Sequence, residues 1–245
     1  SEIRSSEDPF VDHLFDGATA AGAPLLCAQA PRAYVDLNRA SDELDPSLIE
    51  GVRRAFHNPR VASGLGVVPR VVSGGRSIYH GKLSIDEARA RLRDVWRPYH
   101  AALAQLMDES RLHFGEAILI DCHSMPHEAM DGIAHPAGRR PDVVLGDRFG
   151  SAAGGGVVDR IEAAFVDAGL TVSRNTPFAG AFVTQHYGRP SRNQHAVQIE
   201  IDRSLYMDEV GIVPHAGYDA FKQVIDGVVA RIAEIGLSDL SLAAE

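Results

Sequence analysis

The sequence predicts an α/β protein, a three-layer α/β/α sandwich built on a mixed, mostly parallel sheet. Three observations carry that prediction. Strand-like and helix-like segments alternate along the chain. The run Ala117-Ile118-Leu119-Ile120 is continuously apolar, as in a strand covered on both faces. From Gln194 to Asp202 the pattern alternates strictly, with Val197, Ile199 and Ile201 on one side and Gln198, Glu200 and Asp202 on the other.

Taken in order, Ser6-Glu7-Asp8-Pro9 reads as an N-cap with acids and a proline in the first turn. A helix follows through Phe10, Val11, Leu14, Phe15 and Ala18. Residues 24–28 and 33–37 read as short strands, and the glycine-rich residues 63–81 as a long loop around Val67-Val68 and Val71-Val72. Ser84-Ile85-Asp86-Glu87 is a capping box, opening a helix that runs to about His113 and bends at Pro98. The apolar run at 117–120 is expected to be central. Residues 141–145 and 170–173 are further strands, 157–168 a helix, 181–186 another strand, and 218–235 an amphipathic closing helix. Gly154-Gly155-Gly156 lacks the lysine and spacing of a phosphate-binding loop and reads as a flexible turn.

At 245 residues the chain is read as one domain, residues 1–245. Its net charge of −9 is spread along the chain, and no Lys/Arg-rich block offers a footprint for nucleic acid. No apolar run approaches the roughly 20 residues needed to cross a bilayer, so a membrane is not expected as a partner. Cys27 and Cys122 both lie in apolar runs and suggest no disulfide framework; with no secretory segment at the start, the expected compartment is the cytoplasm.

In open α/β sheets ligands bind beyond the carboxyl ends of the strands. His123 occupies such a position, where one imidazole nitrogen can ligate a divalent metal while the other meets a carboxylate, Asp121 being a nearby candidate. A structural histidine is the plainer alternative. Glu200, on the polar side of its strand, is a candidate general base; a solvated edge strand explains the same alternation. Arg32, Asp36, Asn38 and Arg39 crowd the end of another expected strand, where an arginine can hold a carboxylate through two parallel hydrogen bonds. His186, Arg189 and Arg203 supply further donors near strand ends. Ser124 beside His123 lacks the flanking glycines of a nucleophile elbow.

Six segments in order, SSEDPFVDHLF, PRAYVDLNR (31–39), WRPYH (96–100), DCHSMP (121–126), QHYGRP (185–190) and HAVQIEIDRSLYM (195–207), resemble the N-formylglutamate amidohydrolase family over nearly the whole chain. The resemblance implies a zinc-carboxypeptidase-like fold. It also implies zinc-dependent hydrolysis of N-formyl-L-glutamate or a related small anionic N-acyl amino acid, within histidine degradation. By it, His123 matches a zinc-binding histidine and Glu200 the base. An acid of the SSED segment is the carboxylate ligand, Asp8 ahead of Glu7. Asn38-Arg39 matches the pair that grips a substrate carboxylate, with Arg32, His186, Arg189 and Arg203 as supporting donors. The family's first zinc histidine belongs to a segment expected upstream of Ser1, so zinc is expected to be held weakly or not at all by this chain alone. Hydrolysis of other N-acyl amino acids or peptides, non-catalytic carboxylate binding, and a metal-free serine amidase using Ser124 with His123 are the alternatives.

Overall fold

Alternation of β-branched and polar residues gives the longest strands, and 3.6-residue spacing of apolar residues gives the helices that cover them. In the computed structural model, which describes residues 2–53, 58–133 and 138–235, the order is α1 (Val11–Leu14), α2 (Pro59–Ala62), α3 (Ile85–Arg91), α4 (Arg97–Phe114), β1 (Ala117–Met125) and β2 (Val143–Gly146). There follow α5 (Gly155–Asp167), β3 (Val172–Arg174), α6 (Phe182–Tyr187), β4 (Gln194–Asp202), β5 (Met207–Asp208), β6 (Val213–Pro214) and α7 (Tyr218–Ala233). The chain divides into two compact units, Ser1–Glu7 with Leu26–Gln105, and Asp8–Leu25 with Leu106–Glu245.

The second unit holds a four-stranded sheet in the order β1-β4-β2-β3. β1 runs parallel to β4 and β2 parallel to β3, while β2 and β4 are antiparallel, so the sheet is mixed and mostly parallel as expected. On one face Val197, Ile199 and Ile201 of β4 and Val143 and Leu145 of β2 pack against Val11 and Leu14 of α1, Val158, Ile161 and Phe165 of α5, and Phe221, Ile225 and Val228 of α7. Each fully buried side chain of this kind stabilises the fold by about 1.5–3 kcal/mol. α6 covers the opposite face, with Val183, Thr184 and Tyr187 buried, which completes the three layers.

The first unit is mostly loop. Its core gathers Val35, Leu48, Ile49, Val67, Val68, Ala88 and Leu92. Val67 and Val68 are fully buried inside the expected glycine-rich loop, whose backbone is tied by Asp36 N donating to Val67 O (2.8 Å) and Val67 N to Glu43 O (2.9 Å).

Several expectations are corrected. β1 is an outer strand, only partly buried from Ile118 to His123, and β4, buried along nearly its whole length, lies inside the sheet; the continuous apolarity of 117–120 marked a strand but not its place in the order. Residues 33–37 form a turn, with Tyr34 N and Val35 N both donating to Pro31 O, and residues 24–28 are irregular, so Cys27 lies outside any strand. Residues 182–187 are helix α6, because Val183, Thr184 and Tyr187 present a helical i, i+1, i+4 face to the sheet. The glycines at 154–156 open α5 instead of forming a free turn. α1 is a single turn whose N-cap, Phe10, has φ 65° and no side-chain cap; Asp8 is engaged elsewhere. At Ser84 half of the capping box forms: its hydroxyl accepts from Glu87 N (3.1 Å), while the Glu87 carboxylate pairs with Arg91. The irregularity expected at Pro98 falls one turn earlier, as a π-turn at Leu92–Trp96 that accommodates a residue with no N–H to donate.

Candidate active site

Register sets the site. β1 and β4 pair so that Asp121 lies opposite Gln198, His123 opposite Glu200 and Met125 opposite Asp202. Residues in register on parallel strands point to the same side, so these residues share the face turned away from the apolar core. The intervening Ile118, Ile120 and Cys122 pack with the core instead. An acid on β4 is thus explained by lining this face, and the solvated-edge alternative is ruled out by the strand's place inside the sheet.

His123 is held between carboxylates. Its Nδ1 lies 3.0 Å from Asp8 Oδ2 and its Nε2 3.0 Å from Asp121 Oδ1, with all three side chains largely buried. Burial opposes a charge on the ring, but the two carboxylates outweigh it and hold the pKa well above that of a free histidine. The other Asp8 oxygen, Oδ1, accepts from Ser124 N and Ser124 Oγ, both at 3.0 Å. Arg203, buried in the turn after β4, donates from Nε to Ser124 Oγ (3.0 Å) and lies 3.6 Å from Asp8 Oδ1. Sequence placed Arg203 among substrate donors; in the structure its guanidinium braces Asp8 and Ser124. The Ser124 hydroxyl points its proton at Asp8 and follows His123 on an alternating strand, an arrangement that gives His123 no path to activate it.

Glu200 is buried, and its Oε1 accepts from Gln198 Nε2 at 2.7 Å. Its neighbours in register are His123 on β1 and Val144 on β2. A carboxylate next to the His123–Asp8 pair and largely shielded from bulk water is equipped to take up and return a proton.

The remaining sequence candidates separate. Glu7 pairs with Arg4 (2.9 Å), whereas Asp8 meets His123. In the first unit Arg32, Asp36, Asn38 and Arg39 do come together, at a turn and not a strand end. Asp36 accepts from Arg32 Nε (3.2 Å) and Asn38 N (2.9 Å), and lies 3.9 Å from Arg39 Nε. Burial would raise the Asp36 pKa, but the two arginines and the Asn38 amide lower it below the usual carboxylate value. Arg39 is itself buried, spending Nε on Leu65 O and Nη1 on Asn38 O, and that burial lowers its pKa from the ordinary arginine value. The WRPYH segment secures this turn: Trp96 Nε1 donates to Arg39 O (2.9 Å) and His100 Nε2 to Leu37 O (3.0 Å).

His186 and Arg189 are not with His123 and Glu200. Arg189 N and Gln194 O bond at the amino end of β4, six residues before Glu200, a strand distance of about 20 Å. There Arg189 lines a cavity of about 470 Å³ with Arg148 and Gln185. His186 stacks on Phe182, and burial followed by the Arg189 charge lowers its pKa. Both residues looked close to the site because the QHYGRP segment was read as a strand ending there; as helix α6 it runs back along β4, away from Glu200.

An imidazole and a carboxylate in contact are donors of the kind zinc accepts. His123 and Asp8 supply two, and among the described residues no group of three or more His, Cys, Asp and Glu side chains is arranged to hold a metal ion. Sequence reasoning passed over Gln198, although the same alternation that marked Glu200 puts Gln198 on its face two residues earlier.

A family model described as N-formylglutamate amidohydrolase matches residues 1–207. The N-formylglutamate deformylase of Pseudomonas aeruginosa is 33% identical over 209 residues, covering 82% of this chain and 71% of that protein. That of Pseudomonas putida is 32% identical over 217 residues, 85% of this chain and 74% of the relative. The crystal structure of N-formylglutamate amidohydrolase from Ralstonia eutropha is similar with a TM-score of 0.90 and 34% identity, over 97% of this chain and 86% of that one. A gene product of Agrobacterium tumefaciens, at a TM-score of 0.58 and 16% identity over 97% of this chain and 80% of its own, shares the fold.

Proposed function

The chain belongs to the N-formylglutamate amidohydrolase family, and on that premise we propose that it hydrolyses the amide of N-formyl-L-glutamate or a related N-acyl amino acid, releasing formate or the corresponding acid and the free amino acid. The observation that carries the mechanism is the pairing of His123 and Glu200 in register on one face, with Asp8 on His123. Water adds to the acyl carbon as the C–N bond breaks. Glu200 takes a proton from the attacking water and returns it to the leaving nitrogen. Zinc, for which His123 and Asp8 are the residues to hold it, would supply Lewis-acid polarisation of the acyl carbonyl when bound. Arg203 orients Asp8 through the 3.6 Å contact and the Ser124 hydroxyl.

Asn38 and Arg39 are the residues we assign to the substrate carboxylates. The planar guanidinium of Arg39, held by Leu65 O, Asn38 O and the nearby Asp36, is of the kind that grips a carboxylate through parallel hydrogen bonds. The same reading places the reaction in histidine breakdown in the cytoplasm; no helix among the described residues is long and apolar enough to cross a membrane.

Replacing Glu200 by Gln keeps shape and removes the base. Turnover of N-formyl-L-glutamate by the Glu200→Gln protein should fall by about 10²–10⁴-fold, with the melting temperature little changed; near-native turnover would sink the assignment. Assaying N-formyl, N-acetyl and peptide substrates side by side, with metal content measured on the same preparation, tests the substrate class and the zinc reading. Formamide hydrolysis insensitive to a chelator would overturn the latter.

A further inference from the structure

The general base needs more than a location; its carboxylate must be aimed. We propose that Gln198 is the residue that positions Glu200, and that Gly146 together with the Ala181 amide holds Gln198 in the orientation that does so. The inference rests on Glu200 acting as the base and adds the residues through which it is aimed.

Gln198 and Glu200 lie on one face of β4, both buried, with Gln198 Nε2 2.7 Å from Glu200 Oε1. A glutamine side chain can point either end of its amide at a neighbour, and only its nitrogen can donate. Here the choice is made by the backbone. Ala181 N lies 3.1 Å from the far end of the Gln198 amide. A backbone N–H can only donate, so that far atom is the oxygen and the nitrogen must face Glu200. The orientation of one carboxylate oxygen is thereby tied to a main-chain group.

What brings Ala181 to Gln198 is a close approach that only glycine allows. Gly146 of β2 is the register partner of Gln198. A Cβ there would fall 2.7 Å from Ala179 C, 2.7 Å from Gly180 N and 2.9 Å from Phe178 O, all backbone atoms. The segment is tied down around that point: Arg148 N donates to Ala179 O (2.9 Å), and Asn175 Oδ1 accepts from Asp147 N (3.1 Å) and Phe149 N (3.2 Å). Asn175 Nδ2 in turn donates to the buried Asp147 at 2.6 Å. From the Asp147–Asn175 clamp to Gly146, Ala181, Gln198 and Glu200 each link is a hydrogen bond or a backbone contact, a chain that supports the reacting group without touching substrate.

Gln198→Met keeps the volume and removes the donor. Kinetics on N-formyl-L-glutamate should show kcat lowered by about 10- to 100-fold with KM within about twofold and an unchanged fold by circular dichroism, since an outer partner orients chemistry more than it binds substrate. Gly146→Ala should lower kcat in the same direction. The pairing itself is read by a swap: Gln198→Glu should lower the melting temperature by facing two carboxylates, and adding Glu200→Gln should restore it by reversing donor and acceptor, while the double variant stays inactive. A Gln198→Met enzyme with wild-type kcat beside an inactive Glu200→Gln enzyme would overturn the positioning role and leave Glu200 as base. An active Glu200→Gln enzyme would overturn both. Melting temperatures that add in the swap, with no restoration, would overturn the contact.

Discussion

The carboxyl and amino ends of the β1–β4 pair each carry a histidine 3.0 Å from a carboxylate, and the surroundings of the two rings differ in polarity. At the carboxyl end both nitrogens of His123 face carboxylate oxygens, Asp8 on one side and Asp121 on the other, with Glu200 next in register. At the amino end His195 Nε2 donates to Glu116 (3.0 Å) while Nδ1 accepts from Gly154 N (3.0 Å). A neutral imidazole has one donor and one acceptor, and His195 spends both on the fold, tying the start of α5 and the residue before β1 to β4. His123 instead gathers negative charge, the environment that suits a cation. What distinguishes the two histidines is the sign of their partners, since residue type and strand-end position are shared by both.

The comparison breaks most visibly if each histidine is removed. On the proposed mechanism, in which the ring holds or orients reacting groups, His123→Ala should lower turnover by about 10²-fold or more while the protein still folds; retained activity would make the two ends equivalent. His195→Ala should act in the opposite sense, costing about 2–3 kcal/mol in chemical denaturation by leaving the Glu116 carboxylate and the Gly154 amide unpaired, with kcat per folded molecule preserved. A smaller effect of the same kind is expected of Gly154→Ala, whose Cβ would stand 3.3 Å from His195 Cε1: about 1 kcal/mol, read by thermal melting. Least of all, Arg189→Ala at the amino end should leave KM for N-formyl-L-glutamate within about twofold, whereas Arg39→Ala should raise it clearly; a large KM change at Arg189 would bring the amino end into the substrate site.

Much of this was legible in the chain. Strict alternation from Gln194 to Asp202 located β4 and put Glu200 on a polar face, and DCHSMP located His123. Three-residue periodicity found α5 and α7 within two residues. Less legible were the short apolar runs. Residues 182–187 carry the composition of a strand and fold as a helix, and that single reversal moved His186 and Arg189 from the expected site to the far end of β4. The acids before α1 looked like caps, since Asp before an amphipathic turn is what a cap looks like locally; Asp8 found stronger partners 115 and 116 residues away, in His123 and Ser124.

The sequence by itself determined the class of the fold and the two long strands with their polar and apolar faces, His123 and Glu200 among them, because periodicity and residue type are local properties. Only the tertiary structure decided that β4 lies inside the sheet, that Asp8 meets His123, that Arg203 lies against Asp8, and that Gln198 donates to Glu200. Those outcomes depend on strand order, register and the direction of a short helix, and each is set by which distant surfaces bury together, for which no window along the chain carries a signal.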